Sequence, residues 1–183
     1  MKNFLSFILC LFLSACEGIP VPAHEMSPPS GIYTQLSRNT EFNHNIKLGN
    51  IQVAKNAEDR RILIKSKNYA EVLQTALLAA EFASSAYADT SAEYILSATL
   101  LELDIPSWEF SMGSSAKARY VLKHACTERV VLDETLTLFA HVPFSLLSTS
   151  AERSRWATIK AMQENVTHLI RLLASTTLTP STL

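Results

Sequence analysis

Hydrophobic and polar positions change rhythm several times along this chain, and each change marks an element. Ile46, Leu48, Ile51 and Val53 form a short apolar segment whose alternation slips at Gly49, the pattern of a strand carrying a bulge. Tyr69, Val72, Leu73, Ala76, Leu77 and Ala80 recur at i, i+3 and i+4, which places one apolar stripe along a helix. Between Glu93 and Ile105 the period becomes two. Strict alternation puts Ile95, Leu101, Leu103 and Ile105 on one face and Tyr94, Leu96, Ala98 and Leu100 on the other. Apolar side chains on both faces predict a central or doubly covered strand.

Ala116, Ala118, Tyr120 and Leu122 alternate with Lys117, Arg119, Val121 and Lys123, which predicts a half-exposed antiparallel strand. A turn near Ala125-Cys126-Thr127-Glu128 leads into Val130 to Phe139, the second arm of a hairpin or meander. Thr149 with Glu152 three residues on forms a capping box, which satisfies free N–H groups at a helix start. Ile159, Met162, Val166, Leu169, Ile170 and Leu173 then repeat at helical spacing, and Trp156 continues their stripe, so it is expected in the core. The order β-α-β-β-β-α predicts an α+β domain over residues 45 to 175. Its mixed or antiparallel sheet has about four strands, with two helices packed on one face. Residues 176 to 183, which include Pro180, read as a tail.

The first residues follow a different rule. Lys2 supplies a positive start, and Phe4 to Leu13 an apolar run. About ten helical residues rise roughly 15 Å, half the thickness of a bilayer core, so the run does not span a membrane. Leu13-Ser14-Ala15-Cys16 resembles the lipobox of bacterial lipoprotein precursors. That resemblance implies a signal peptide over 1–15, diacylglyceryl modification of the Cys16 thiol, cleavage before it, and acylation (palmitate or similar) of the new amine. Two or three chains, at about 0.8 kcal/mol per buried CH₂, hold a protein to a membrane permanently. Glu17 is not the aspartate that commonly retains such proteins at the inner membrane. The resemblance therefore implies the periplasmic face of the outer membrane.

Residues 16 to 44 read as the lipidated cysteine and a flexible tether. Pro20, Pro22, Pro28 and Pro29 are four of the seven prolines of the chain, which resists helix and sheet there. As a coil this arm would reach roughly 30 Å. Ile32, Tyr33 and Leu36 leave open a short strand, or docking on the domain.

Charge narrows the partners. The formal net charge is -1, and loss of residues 1–15 removes Lys2 and no acid, giving -2. Nucleic-acid binding needs a clustered cationic face, which is not visible here, and no polybasic run marks an anionic membrane surface. Cys10 leaves with the signal and Cys16 takes the lipid, so Cys126 has no intramolecular partner. It is either a reduced structural cysteine near the turn or a free thiol able to pair with another chain.

Ala118-Arg119-Tyr120-Val121-Leu122, Val130-Val131-Leu132-Asp133-Glu134-Thr135 and the long helix with Glu164-Asn165 resemble a family of uncharacterised proteobacterial envelope lipoproteins. In that family a tyrosine-bearing strand, a turn, a second strand and a terminal helix follow one another. Here the usual hairpin glycine is missing. The element order is also similar to lipopolysaccharide-assembly lipoproteins and to auxiliary lipoproteins of envelope ABC-type transport systems. These resemblances imply a non-enzymatic role in moving or assembling envelope components.

Catalytic chemistry is hard to find. His24, His44, His124, His141 and His168 are scattered, and none pairs with Cys, Asp or His at metal-ligand spacing, so neither metal nor cofactor is expected. There is no G-x-S-x-G elbow, P-loop or G-x-G-x-x-G motif. Asp133 and Glu134 point to opposite faces of a strand, while Glu102 and Asp104 share one and read as solvated acids. Trp108 and Phe110 stand in the connection Ile105 to Gly113, where they either cap the core or contact a partner or lipid. The leading expectation is a membrane-anchored binding, assembly or transport-accessory module with an envelope protein or lipid as partner. A lipid or glycolipid carrier with an apolar cleft is the alternative, and an envelope hydrolase or transferase the third.

Overall fold

Tyr94–Asp104 (β4) is a central strand because every second side chain from Tyr94 to Leu100 is apolar and buried, while both its edges find partners. In the computed structural model, which describes residues 19–35, 41–57, 62–84, 92–105, 112–143 and 149–177, four strands form one sheet. Ile46–Val53 (β2) lies parallel to β4 on one side. Met112–His124 (β5) is antiparallel to β4 on the other, and Val130–Val142 (β6) is antiparallel to β5. The order is β2-β4-β5-β6. The parallel pair requires a crossover, and Ser66–Ala79 (α2) supplies it. Ser150–Ser175 (α3) closes the fold against β5 and β6.

The architecture is the expected α+β sheet with both long helices packed against it. The bulge predicted at Gly49 is present, as a register shift between Leu48 and Ile51. A Cβ at Gly49 would stand 2.6 Å from Ile95 Cγ2, so only glycine lets β2 approach β4 this closely.

Three expectations are corrected. A second bulge between Leu100 and Glu102 breaks the alternation of β4. Leu103 and Ile105 are therefore buried with Leu96 and Leu100 rather than grouped with the half-buried Ile95 and Leu101. Trp156 is not core: it is 43% exposed, because it lies on the side of α3 that Lys160 and Gln163 continue, beyond the stripe of Ile159, Met162 and Val166.

The third correction concerns the arm. Over its described part, the segment expected as a tether is built into the domain. Ile19–Pro20 (β1) pairs in parallel with Ile62–Leu63 (β3), and a short helix, Ala23–Met26 (α1), follows. Val21, Met26 and Phe42 are fully buried in the main core. Prolines discourage helix and sheet, but they do not stop an extended chain from docking its apolar side chains between them.

Helix ends are closed by local chemistry. The Thr149 hydroxyl accepts from the Glu152 backbone N–H, and the Glu152 carboxylate accepts from the Thr149 backbone N–H, each at 3.2 Å. At the C-terminus of α2, Phe82 N–H donates to Leu77 O at 2.9 Å and Glu81 N–H to Leu78 O at 3.1 Å, with Glu81 at φ 61°. This is a Schellman closure with glutamate where glycine is usual.

Candidate functional site

Two ends of the domain differ in chemistry, and the topology decides which groups each collects. At one end lie β1, α1, β3, the first turn of α2, the last residues of β4 and β6, the start of β5 and the start of α3. At the other lie the starts of β2 and β4, the end of α2 and the β5–β6 turn.

The N-terminal segment is strapped to the first end by polar bonds. Val21 N–H donates to Leu63 O at 3.2 Å, and Asn68 Nδ2 donates to Val21 O at 2.8 Å. Glu25 and Arg155 form an ion pair at 2.6 Å, each about three-quarters buried, and Gln163 Nε2 donates to Glu25 O at 2.8 Å. The strap thus holds α2 and α3 together across their outer sides.

Between the helices and the sheet a chain of hydrogen bonds runs through the core. The Tyr69 hydroxyl donates to the Tyr120 oxygen at 2.9 Å, and Tyr120 donates to Asn165 Oδ1 at 2.6 Å. Asn165 Nδ2 donates to Ala116 O at 2.8 Å and Leu136 O at 3.2 Å. All three side chains are fully buried, and each polar atom of the chain finds a partner, which makes this network a pin for α2 and α3. Burial raises both phenols well above the ordinary 10.0 of tyrosine, so neither ionises near neutral pH. Ser114 and Thr158 meet at 3.4 Å in a smaller buried contact nearer the strapped end.

The candidate residues do not converge. Cys126 is an exposed free thiol at the β5–β6 turn, the end opposite the strap. His24, His44, His141 and His168 are exposed on separate elements, and His124 stacks edge-on against Tyr94. Among the described residues no group of three or more His, Cys, Asp or Glu side chains is placed to hold a metal ion. Glu102 and Asp104 are exposed, opposite Lys117 and Ser115. Asp133 does bind a partner: Arg119 Nε and Nη2 grip its two oxygens at 2.8 and 2.6 Å. These bonds hold its carboxyl below the usual range. Cys16, Trp108 and Phe110 lie outside the described residues.

Two aromatics at or near the strapped end, Trp156 and Phe139, are exposed, Trp156 against expectation and Phe139 without any expectation. Phe139, 63% exposed, lays its ring over Gly113, where an added Cβ would stand 2.3 Å from Cζ. Gly113, diagonal to this outward aromatic across the hairpin, was the available signal. For the polar pin, the signal was Asn165 itself, a polar residue between Met162 and Leu169 on an apolar stripe.

No protein-family model matches the chain, and no curated protein matches it. Solved structures do. A Xanthomonas campestris protein of family DUF330 is similar over 78% of this chain and 92% of its own, with 13% identity and a TM-score of 0.52. A minor lipoprotein from Acinetobacter baumannii is similar over 73% of this chain and 94% of its own, with 9% identity and a TM-score of 0.46. The first likeness establishes a shared fold.

Proposed function

We propose that this chain is a lipid-anchored module of a bacterial envelope that works by binding and assembly rather than catalysis. It would sit on the periplasmic face of the outer membrane as an accessory to the transport or assembly of envelope components. The observation that carries this reading is Leu13-Ser14-Ala15-Cys16 behind a charged start and a ten-residue apolar run. A strand begins three residues after that cysteine.

The interior supports a binding role. The space between helices and sheet, where a carrier would keep an acyl-sized cleft, holds Tyr69, Tyr120 and Asn165 bonded to one another. The described hydroxyls, histidines and carboxylates that a hydrolase would gather are spread over separate elements. Partner recognition then falls to the surface, where Trp156 and Phe139 are exposed.

The test is Cys16→Ser followed by cell fractionation. Wild type is expected in the membrane fraction and the variant in the soluble extract. Equal solubility of the two would overturn the reading. Crosslinking in intact cells, followed by capture from native membranes, is expected to attach a stoichiometric envelope protein or lipid. Its absence would remove the binding role.

A further inference from the structure

We infer that the strapped end of the domain is its membrane-docking surface, meeting phospholipid headgroups directly and holding the β5–β6 turn away from the bilayer. The inference rests on lipidation of Cys16 and goes beyond it, because an anchor alone does not orient a domain. The pairing of β1 does. Ile19 is fixed to Ile62, and Val21 behind it is fully buried and bonded at both its N–H and its carbonyl. Three extended residues span about 10 Å, so an acylated Cys16 cannot lie farther than that from Ile19. A tether of 29 residues would let the domain tumble. A connection of three residues holds the β1 end within about 10 Å of the anchor.

The surface brought to the membrane has suitable chemistry. Lys55, at the end of β2, and Lys65 and Lys67, around the start of α2, are exposed at this end. Among the described acids at this end, Glu25 pairs with Arg155 and Glu152 closes the cap of α3, while Glu71 is exposed one turn after Lys67. Glu102 and Asp104 stand at the end of β4, with Lys117 opposite Glu102. Lysines near an anionic headgroup layer are each attracted to it, and an exposed indole such as Trp156 suits the layer between headgroups and acyl chains. The crossover from the end of β2 through β3 into α2 brings these cations to the same end of the domain.

The opposite end carries its own probe. Cys126 is exposed at the β5–β6 turn, and β5 has thirteen residues, so the two ends are about 40 Å apart. The experiment uses the full lipoprotein, purified in detergent and reconstituted into vesicles of phosphatidylethanolamine and phosphatidylglycerol containing a headgroup-labelled acceptor. A donor dye is placed on native Cys126, or on Ser66→Cys in a Cys126→Ser background. Strong energy transfer is expected from position 66, and loss of most of it from position 126. Equal transfer from the two, or stronger transfer from 126, overturns the inference.

Two variants separate the causes. A Gly/Ser insert of about fifteen residues between Gly18 and Ile19 reaches roughly 20 Å as a coil. It leaves the far-ultraviolet circular dichroism unchanged and is expected to narrow the difference. An undiminished difference would mean that the short connection does not set the orientation. Lys65→Gln with Lys67→Gln is expected to weaken docking about fivefold per lysine while the protein stays with the vesicles. Unchanged transfer in this variant would remove the lysines from the surface. The mass of the purified chain is read first: without acyl groups the proposed function fails as well, whereas an acylated chain with equal transfer overturns the docking alone.

Discussion

Glu25 and Arg155, 130 residues apart in the chain, meet at 2.6 Å and fasten the N-terminal segment to the first turns of α3. The contact is partly buried, where an ion pair keeps more of its Coulomb attraction than at the open surface. Arg155→Ala is expected to cost about 1 kcal/mol. Hydrogen exchange should speed up at the Val21 and Glu25 amides, while amides in the middle of β4 and β5 stay protected. Unchanged protection at Val21 would show that the pair does not hold the strap. Met26→Ala, which removes a fully buried side chain of the strap, should cost more, about 2–4 kcal/mol.

The polar pin gives an ordered prediction. Tyr69→Phe removes one donor at the outer end of the chain and leaves the bond from Tyr120 to Asn165 intact. Tyr120→Phe breaks both bonds and strands the Tyr69 proton and Asn165 Oδ1 in the core. Unfolding in urea should show a loss of about 1 kcal/mol for the first and about 2–4 kcal/mol for the second. A reversed order would contradict the donor assignment.

Most of the fold was legible because its long elements obey one period each. The helix Ser66–Ala79, the hairpin β5–β6 and the capping box at Thr149 all follow from spacing that tertiary packing then reinforced. What spacing could not reveal was where a proline-rich stretch goes. Val21, Ala23 and Met26 carry no helical or strand period, and their burial depends on partners some forty to 140 residues later in the chain. Trp156 departs from its expected burial for a related reason: a stripe has a border, and a residue on it is buried only if a neighbour reaches over it. The second bulge in β4 has no glycine to announce it.

Alkaline pH should act on the two buried phenols. Their pKa values are raised on folding, so the stability they lend is complete below the ordinary 10.0 and is lost as pH rises through the folded values. Stability should therefore fall above about pH 10. Two of the five tyrosines should gain tyrosinate absorbance only as the protein unfolds. Early titration of all five would contradict their burial.

Two glutamates hold backbone that glycine would hold more easily. Glu81 and Glu128 have φ values of 61° and 55°, the first closing α2 and the second closing the β5–β6 turn. The left-handed conformation costs a side chain roughly 1 kcal/mol. Glu81→Gly and Glu128→Gly are each expected to raise the melting temperature by a few degrees. Scanning calorimetry of the single and double variants checks this, with additive shifts expected for sites on separate turns.

Membrane anchoring depends on where the mature chain begins and what its first residue carries. Intact-mass spectrometry of the protein purified from membranes decides both at once. The predicted mass is that of a chain starting at Cys16 with a diacylglyceryl group and one further acyl chain. A mass matching an unmodified chain, whether full-length or cut elsewhere, would contradict the anchor.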